Sequence, residues 1–578
     1  METVNLKING ISVIAAKDST VLQAARQDGI KIPTLCYLKE VNEIGACRMC
    51  LVEIKGARSF AASCVQPVSE GMEVFTNTPA LIRSRKNTLE LLLSVHDKKC
   101  LSCVRSGNCE LQALCKEYGV DESKYEGEKP HFQLDASADH MVRDNNKCIL
   151  CRRCVAACAK VQGIGVIGAN DRGFNTHIGC AFEDNLAETS CVSCGQCIIA
   201  CPTGALYEKD ETAKVFEALN DPTKHVVVQT APAVRAALGE EFDYPIGTNV
   251  QGKMVSALKR LGFDKVFDTN FAADLTIMEE ATEFIDRVKN GGVLPLITSC
   301  SPGWVKYCEH YFPDMIDNLS SCKSPQQMFG AIVKTYYAEK NNIDPKDIFV
   351  VSCMPCTAKK FEEGRDNQSA AGVRDIDAVI TTRELARMIK KAGIMFNLLE
   401  DEQYDSPLGM FTGAGVIFGA TGGVMEAALR TAVEVLTNKS LEKLDFTEVR
   451  GTKGIKEATY KIGELDVKVA VVSGLANARQ LLQDVRDGKA NYHFIEVMAC
   501  PGGCVNGGGQ PIQHADIINN TDIRALRAKV LYDEDKSLPL RKSHENPVIK
   551  ELYDTFLEKP GSHKAHEILH TTYVKRGL

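Results

Sequence analysis

The chain has 578 residues, which at roughly 150 residues per domain predicts three or four domains. Its 68 Lys and Arg against 75 Asp and Glu give a net charge of −7, which offers no electrostatic basis for binding nucleic acid or an anionic membrane. No apolar run approaches the roughly 20 residues that span a bilayer, and the first residues show no basic or apolar leader. We therefore expect a cytoplasmic protein without membrane insertion.

Cysteine is the unusual component of the composition. The chain contains 24 cysteines, and 17 of them lie within residues 1–201. Thiols in a reducing compartment are more often metal ligands than disulfides. The first third of the chain is therefore predicted to be built around metal, and the remainder to be a folded body with one further site.

The first cysteine group follows a predicted hairpin and helix. Residues 4–14 alternate as two strands around Asn9-Gly10, and a capped helix is predicted from Asp18. A hairpin, a helix and a cysteine-rich loop resemble the β-grasp fold of plant-type ferredoxins, whose [2Fe–2S] cluster needs four thiolates. The spacing C-x10-C-x2-C-x13-C departs from those ferredoxins, which leaves zinc as the alternative. The four residues are Cys36, Cys47, Cys50 and Cys64.

The second group has the pattern H-x3-C-x2-C-x5-C. Zinc accepts this set of ligands as readily as an iron–sulfur cluster does. Its position between two other cluster motifs favours a [4Fe–4S] cluster with one imidazole ligand. The residues are His96, Cys100, Cys103 and Cys109.

The third group is the most specific signal in the chain. Two C-x2-C-x2-C-x3-C runs, the second followed by Pro202, match bacterial ferredoxins with two [4Fe–4S] clusters, in which the fourth cysteine of each run binds the other cluster. One predicted set is Cys148, Cys151, Cys154 and Cys201. The other predicted set is Cys191, Cys194, Cys197 and Cys158. Four clusters in series predict the transfer of single electrons between a surface partner and a buried site.

Beyond residue 222 the sequence alternates between short apolar strands and helices, which predicts α/β architecture. Three of the predicted strands run directly into cysteines, at Cys300, at Cys353 and Cys356, and at Cys500 and Cys504. Ligand sites in open α/β sheets form beyond the carboxyl ends of strands, so these thiols are predicted to converge. Glycines at 502–503 and 507–509 are expected to let the backbone approach a bulky cofactor. Unrelated core thiols are the alternative.

Three segments of this body, 298–304, 354–359 and 496–507, resemble the signature motifs of [FeFe]-hydrogenases. The resemblance covers the whole chain and the order of its cluster motifs, as in the larger clostridial type or the catalytic subunit of a multi-subunit relative. It implies reversible interconversion of two protons and two electrons with H2. It also implies an H-cluster, a [4Fe–4S] cubane that shares a cysteine thiolate with a two-iron unit bearing CO, cyanide and a dithiolate. The implied fold is multidomain, α+β and α/β, with domains at 1–80, 81–128, 129–210 and 211–578, the last including a helical tail.

The resemblance also implies roles for individual residues. Cys356, Cys500 and Cys504 would bind the cubane, with Cys504 bridging to the two-iron unit. Lys359 would donate a hydrogen bond to a cyanide. The residues that would pack on the cluster or line its pocket are Met354, Met498, Pro232, Ser320 and Gln326.

One position departs from the family pattern. The signature usually reads Thr-Ser-Cys-Cys-Pro, in which the first cysteine relays protons and the second binds the cubane. Here Cys300 stands in the relay position and Ser301 in the ligand position. A hydroxyl is a poor ligand where iron prefers thiolate. Three interpretations stay open: Ser301 binds through oxygen, Cys300 becomes the ligand and the relay is lost, or the chain is a variant with a disturbed cluster and impaired turnover.

Proton delivery offers a second check on the resemblance. Glu280 and Glu283 lie three residues apart and therefore share a helix face. Alone, such a pair is more often a solvated surface. The resemblance places both on the proton path, with Arg287 one turn further and Ser320 between the glutamates and Cys300.

Rival interpretations treat the chain as an iron–sulfur electron carrier, as a hydrogenase-like cluster-assembly protein or as a sensory hydrogenase. The carrier hypothesis leaves the three thiol-bearing strand ends unexplained. The expected electron partner is a ferredoxin or the flavin- and NADH-binding iron–sulfur subunits of a complex. The His-containing runs of the tail, from 541 to 546 and from 563 to 569, are predicted to serve packing and surface roles.

Overall fold

The computed structural model describes residues 2–125, 127–437, 439–441, 443–462 and 465–577. Within these ranges no helix is both long enough and apolar enough to cross a bilayer. The strands belong to five sheets, of which one is formed by the first cysteine-rich segment and two larger ones by the C-terminal body.

The first segment folds as one mixed sheet on a short helix. The predicted hairpin is confirmed: its two strands pair antiparallel, and Asn9 and Gly10 both have positive φ (51° and 82°), as a type I′ turn requires. The helix is capped by Thr20, in a reciprocal capping box with Gln23. The sheet order is β2-β1-β5-β3-β4, with β1 and β5 parallel. The elements are β1 Thr3–Ile8, β2 Ile11–Ala16, α1 Val21–Gln27, β3 Leu51–Ile54, β4 Ala61–Ala62 and β5 Glu73–Phe75.

The next 130 or so residues are short helices and two-stranded ribbons that hold the other cysteine runs. β6 pairs with β9 and β7 with β8, both antiparallel. The elements are α2 Pro79–Val95, α3 Glu110–Glu117, β6 Met141–Arg143, α4 Arg153–Ala156, β7 Gly168–Asn170, β8 His177–Gly179, α5 Gln196–Ala200 and β9 Leu206–Glu208.

The C-terminal body contains two four-stranded sheets. The first has the order β11-β10-β13-β14 and is parallel throughout. The second has the order β12-β17-β16-β15, with only β15 antiparallel to its neighbour. The strands are β10 His225–Thr230, β11 Lys265–Asp268, β12 Leu296–Ile297, β13 Ile348–Met354, β14 Ala378–Thr381, β15 Ile455–Ile462, β16 Leu465–Ser473 and β17 Phe494–Met498.

Helices cover these sheets, so β14 and β17 are buried along their whole length, as the near-continuous apolar runs of parallel strands predict. The predicted capping box between Thr381 and Glu384 is present. The helices are α6 Thr212–Leu219, α7 Pro232–Arg235, α8 Gln251–Leu261, α9 Thr269–Asn290, α10 Pro302–Tyr311, α11 Pro325–Ile332, α12 Ala338–Asn341, α13 Ala358–Glu363, α14 Thr382–Lys391, α15 Gly413–Val416, α16 Gly423–Thr437, α17 Leu475–Arg486, α18 Ala515–Ile518, α19 Ile523–Ser537, α20 Pro547–Leu552 and α21 His563–Leu569.

Buried polar contacts fix the ferredoxin-like segment to the body. Glu208 accepts hydrogen bonds from Arg383 at 2.6 Å and from Arg387 at 2.7 Å. Burial alone would raise the pKa of this carboxyl, but the two guanidinium groups lower it below its usual value. The Thr357 hydroxyl donates to the Ser193 carbonyl at 2.8 Å. Because these contacts are desolvated, they hold the two regions in one fixed geometry rather than a loose association.

Candidate functional site: a thiol-lined cavity and its approaches

A mostly apolar cavity lies at the carboxyl ends of strands from both sheets of the C-terminal body. Residues after β10, β12, β13 and β17 all contribute to its walls. The three strand ends that the sequence predicts to converge therefore do so, but Cys353 does not line the cavity, because its side chain is part of the hydrophobic core. The predicted site residues that line the cavity are Pro232, Cys300, Ser301, Gln326, Met354, Cys356, Lys359, Met498, Cys500 and Cys504.

Burial strongly affects the cavity thiols. It raises the pKa of Cys300, Cys356, Cys500 and Cys504, in the last case to about 12. Neighbouring Cys356 and Cys504 raise that of Cys500 further. Thiols in such a setting lose their protons only when a cation replaces them. A cluster of soft ligands in a dry cavity therefore fits an iron–sulfur group better than a catalytic thiol.

Cys300 and Ser301 occupy the loop between β12 and α10. Trp304 fixes this loop by donating from its indole N–H to the Thr298 carbonyl at 3.1 Å. The Ser301 hydroxyl accepts from the Ala499 N–H at 3.2 Å, one residue before Cys500. Both side chains face the cavity, and Glu280 contributes to the raised pKa of Cys300. Cys300 thus lies between the cavity and the first glutamate of the predicted proton path.

Lys359 is buried at the cavity wall rather than solvated. Its ammonium donates to the Cys300 carbonyl at 3.2 Å and to Glu362 at 2.8 Å. Since an ammonium has three donors, one is left for a group in the cavity. Gln326 also donates to Glu362, and its own carbonyl oxygen is buried without a hydrogen-bond partner. Lys359 therefore supplies a positive charge with a free donor at this wall.

The predicted proton-path residues form a chain outward along α9. Burial, followed by the charge of Glu283, raises the pKa of Glu280 to about 8. The Ser320 hydroxyl donates to Glu283 at 3.0 Å, and Arg287 donates to Glu283 at 2.6 Å. Ser320 is not among the residues that line the cavity, contrary to the expectation from the sequence, because it lies beside Glu283. The partly exposed Arg287 marks the outer end of the chain.

A second cavity holds one predicted ferredoxin set. Its walls include Cys158, Cys191, Cys194 and Cys197, which is the crossed combination predicted from the spacing. Cys194 also lines the first, thiol-lined cavity and contributes to the raised pKa of Cys500. A single residue therefore separates the two sites, a proximity that the sequence does not reveal.

The other ferredoxin set shows the same crossing. Burial raises the pKa of Cys148, Cys151 and Cys154, and the charge of Cys201 raises each of them further. The Arg105 guanidinium, from the preceding motif, donates to the Cys201 carbonyl at 3.1 Å. The second and third cysteine groups are therefore neighbours in space.

His96 has the surroundings expected of a metal-binding imidazole. The side chain is buried, its Nδ1 atom has no hydrogen-bond partner, and burial lowers its pKa to about 4. A neutral imidazole with a free nitrogen is the form that binds iron or zinc. Cys103 lies close enough to Gly204 that a Cβ there would meet its sulfur at 2.5 Å. This geometry supports a metal site and is compatible with either metal.

The first cysteine group is divided into two pairs. The Sγ atoms of Cys50 and Cys64 lie 3.3 Å apart, and the Cys47 N–H donates to the Cys36 sulfur at 3.4 Å. Hydrogen bonding within each pair lowers the pKa of Cys36 and of Cys50. Two pairs of thiols match two iron atoms, each of which takes two thiolates in a [2Fe–2S] cluster.

The glycine-rich segment after Cys504 serves close packing between backbones. A Cβ on Gly507 would lie 2.0 Å from the Pro355 carbonyl oxygen, and one on Gly508 would lie 2.6 Å from the Cys194 carbonyl oxygen. Gly503, with φ of 94°, and Gly507 also line the cavity. Gly507 and Gly508 therefore bring the strand ends and the ferredoxin loop together, and of the five glycines predicted to face a cofactor only Gly503 and Gly507 line the cavity.

Sequence reasoning missed several residues of the site. Glu362 orients Lys359, and its spacing of three residues on α13 is the signal that could have revealed it. Glu279, Cys322 and His570 lie around Glu283. They come from three distant segments, so no local pattern points to them.

Five family models match this chain. Two describe hydrogenases: the C-terminal domain of the iron-only hydrogenase large subunit, at 224–508, and the iron hydrogenase small subunit, at 521–576. The other three are a 2Fe–2S iron–sulfur cluster binding domain at 1–79, the iron–sulfur binding region of NADH-ubiquinone oxidoreductase-G at 85–124 and a 4Fe–4S dicluster domain at 147–205. Together they place iron–sulfur binding in each cysteine group of the first third and hydrogenase chemistry in the body.

Individual relatives agree. The chain is 52% identical over 588 residues to the NADP-reducing hydrogenase subunit HndD of Solidesulfovibrio fructosivorans, covering 100% of both chains. It is 46% identical to iron hydrogenase 1 of Clostridium pasteurianum, covering 98% of this chain and 99% of that one. The structure of apo [FeFe]-hydrogenase HydA1 from Chlamydomonas reinhardtii matches with a TM-score of 0.58 and 44% identity, covering 64% of this chain and 100% of that one.

The fold and the thiol-lined cavity thus define an iron–sulfur oxidoreductase. The chain belongs to the family of iron-only, or [FeFe], hydrogenases. It is a hydrogenase with iron–sulfur cofactors that include an H-cluster.

Proposed function

We propose that this chain holds its H-cluster through Cys356, Cys500 and Cys504, with Lys359 and Gln326 as hydrogen-bonding groups at its walls. The H-cluster supplies the iron at which the H–H bond is formed or cleaved. The observation that carries this assignment is the meeting of strand ends from two sheets in one apolar, thiol-lined cavity. The chain's own residues bind and orient the group, exclude water and deliver protons.

The test is anaerobic loading of the protein with the synthetic two-iron unit. Sharp CO and cyanide infrared bands together with H2 evolution from a reduced viologen are expected. Loading of the accessory clusters without such bands would contradict the catalytic assignment and favour the electron carrier.

Cys300 is proposed to carry protons, and Ser301 is proposed to serve as the fourth ligand of the cubane. Cys300 lines the cavity, and the charge of Glu280 contributes, after burial, to its raised pKa, whereas the Ser301 hydroxyl accepts from the Ala499 N–H next to Cys500. Cys300→Ala is expected to keep the cubane iron and lose turnover. Loss of that iron would instead identify Cys300 as the ligand. Ser301→Cys serves as the matched variant, because it restores the usual family residue.

Protons are proposed to travel between the surface and Cys300 through Arg287, Glu283, Ser320 and Glu280. The contacts at 2.6 Å and 3.0 Å around Glu283 support the outer half of this path. The raised pKa of Glu280 supports the inner half, because a carboxyl that is protonated near neutral pH can both accept and donate a proton.

Four accessory clusters are proposed: one [2Fe–2S] cluster in a β-grasp domain and three [4Fe–4S] clusters, one of them ligated by His96. The five-stranded mixed sheet on α1 supports the β-grasp assignment. The proposed domain limits are 1–80, 81–128, 129–210 and 211–578. Cys194, at the walls of two cavities, supports electron transfer between the nearest accessory cluster and the catalytic site.

The electron partner is proposed to be an NAD(P)H-linked flavin and iron–sulfur subunit or a ferredoxin, docking near the cysteines at 100–109. The match over the full length of both chains, at 52% identity, to the NADP-reducing hydrogenase subunit HndD supports the first partner. Leu101 is fully exposed between Cys100 and Cys103, and Val104 is also exposed. Leu101→Asp should weaken reduction by the protein partner while leaving reduction by a small viologen unchanged. Equal rates with the partner would exclude this face.

A further inference from the structure

A cluster of three possible metal ligands lies at the outer end of the proposed proton path. Glu283, Cys322 and His570 each offer a ligand atom, and these atoms all lie within 4.8 Å of one another. The residues come from α9, from the segment before α11 and from the residue after α21. None of the cysteine motifs that predict the iron–sulfur clusters includes Cys322.

The backbone holds two of these ligands together independently of any metal. Cys322 and His570 form an antiparallel bridge, in which the Lys323 N–H donates to the Leu569 carbonyl and the Thr571 N–H to the Ser321 carbonyl, both at 2.8 Å. Glu283 is fixed from the other side by Arg287 and by the Ser321 N–H. The three donors are therefore preorganised, which reduces the entropic cost of capturing an ion.

His570 has the environment of a metal-binding imidazole. Its Nε2 lies 3.1 Å from Glu279, a buried carboxylate that also accepts from the Tyr553 hydroxyl and the Gly561 N–H. A carboxylate only accepts, so Nε2 carries the proton and Nδ1 presents its lone pair. Nδ1 faces the Ser321 hydroxyl at 2.8 Å. A carboxylate behind a histidine is the usual support of a zinc-binding imidazole.

Cys322 adds the soft donor. Its sulfur lies 3.9 Å from Glu283 Oε2, and the side chain is fully buried. The carboxylates of Glu283 and Glu279 at this site favour a cation, and an ion that enters replaces the thiol proton, which leaves to solvent.

We propose that Glu283, Cys322 and His570 form a regulatory site for a divalent transition ion, with Zn²⁺ as the best match, and that occupation of the site closes the proton path. One sulfur, one imidazole nitrogen and one carboxylate oxygen are all donors that zinc accepts in tetrahedral sites with an open fourth position. Because Glu283 becomes a ligand, its carboxylate can no longer exchange protons with Ser320 and Arg287. The closure rests on the proposed function; the binding of the ion does not.

Binding is tested first, on the fully cluster-loaded protein, by equilibrium dialysis against Zn²⁺. Wild type is expected to retain one zinc more than Cys322→Ala or His570→Gln, and Glu279→Gln to bind about 10- to 100-fold more weakly. X-ray absorption at the zinc edge should show one sulfur at about 2.3 Å and nitrogen or oxygen at about 2.0–2.2 Å. Cys308→Ala is the matched control, because Cys308 is a buried thiol that belongs to a different hydrophobic cluster from Cys322 and is not one of the three proposed ligands.

Turnover is tested on the same samples by H2 production from a reduced viologen with and without Zn²⁺. In wild type and in Cys308→Ala, zinc is expected to lower the rate by about 100-fold or more relative to the same protein without zinc, in line with the contribution of one proton-transfer residue. The ratio for Cys322→Ala should stay near one. Equal zinc retention by wild type and Cys322→Ala would overturn the site. Cys322-dependent binding with unchanged turnover would overturn the closure and the path through Glu283, while the infrared bands of the H-cluster would still report on the proposed function.

Discussion

The first third of this hydrogenase and its C-terminal body hold iron in different ways. In the first third most of the proposed ligands of a cluster come from one short stretch, such as Cys191 to Cys197, and the proposed partner cysteine Cys158 lies in the preceding run. In the body, the cavity thiols extend from Cys300 to Cys504 and reach one place only because two sheets end there. The accessory sites depend on local loops, whereas the catalytic site depends on the whole domain.

The surroundings differ as well. Leu101, between two ligands of the second cysteine group, is fully exposed, and Cys100 is partly exposed. Cys500 is buried, in a cavity with few polar groups. Electron transfer requires an outer cluster close to a partner, while the formation of H2 requires exclusion of bulk water. A substitution in the outer region should therefore change the path by which electrons arrive, whereas a substitution at the cavity of the body should abolish H2 formation.

The largest expected effect is that of removing a cavity ligand. Cys500→Ala should abolish H2 evolution from reduced viologen, because the cubane loses a thiolate that no neighbouring side chain replaces. The accessory clusters should keep their iron and their electron paramagnetic resonance signals. Cys100→Ala is the counterpart in the outer region, and it should keep most viologen-driven turnover, since a small dye can reduce another cluster. Equal losses in both variants would contradict the distinction between the two regions.

The next effect concerns the proton path on α9. Glu283→Gln keeps the shape of the side chain but cannot exchange a proton, so turnover should fall by about 100-fold or more. CO and cyanide infrared bands should remain, which separates proton supply from cluster assembly. Asp286→Asn is the matched control on the same helix, because that side chain is exposed and bonded only to Asn290. Normal turnover in Glu283→Gln would remove this residue from the path.

The difference between the regions also explains how much the sequence could predict. Ferredoxin spacing predicts both crossed cysteine sets, because short loops bring cysteines three or four positions apart towards one cluster, and the cysteines of one set do line a common cavity. The turn at Asn9-Gly10 and the capping box at Thr381 were likewise predictable from local chemistry. The strand ends of the body pointed to one cavity, since parallel strands place their carboxyl ends on the same edge.

The rest depends on contacts between distant segments. Ser320 was expected at the cavity wall but lies beside Glu283, because the segment before α11 passes along α9. The neighbourhood of Cys322 and His570 forms only when the residue after α21 pairs with that segment. No spacing along the chain encodes such a pairing. The resemblance to a family supplied the roles of single residues, and the structure supplied their neighbours.

A smaller, pH-dependent effect is expected from Glu280. Its pKa rises from 4.5 to about 8 through burial and the charge of Glu283, so the folded protein keeps this proton across a range in which the unfolded chain has lost it. The raised pKa of Glu280 therefore contributes most to the free energy of unfolding below about pH 4.5, and this contribution decreases as the pH rises towards 8. The infrared carbonyl stretch of a protonated carboxyl should be present at pH 7 and disappear above pH 8. Because burial also raises the pKa of Glu363 to about 8, the band of Glu280 is read from the difference between wild type and Glu280→Gln, and no difference at pH 7 would contradict the assignment.

The smallest effect tests whether the first domain can be perturbed without disturbing the body. Gly10 has φ of 82° in the turn between β1 and β2, and a Cβ there would meet no atom within 4 Å. Gly10→Ala therefore introduces backbone strain alone, at a cost of about 1 kcal/mol. The visible absorption of the first cluster should be lost at a slightly lower temperature than in wild type, whereas Ser12→Ala, an exposed change in the same hairpin, should leave that temperature unchanged. Viologen-driven turnover should be the same in all three proteins, because no ligand, cavity residue or proton-path residue moves. A fall in turnover with Gly10→Ala would show that catalysis in the body depends on the stability of the N-terminal segment. It would then contradict the view that the accessory sites depend on local loops and the catalytic site on the C-terminal body.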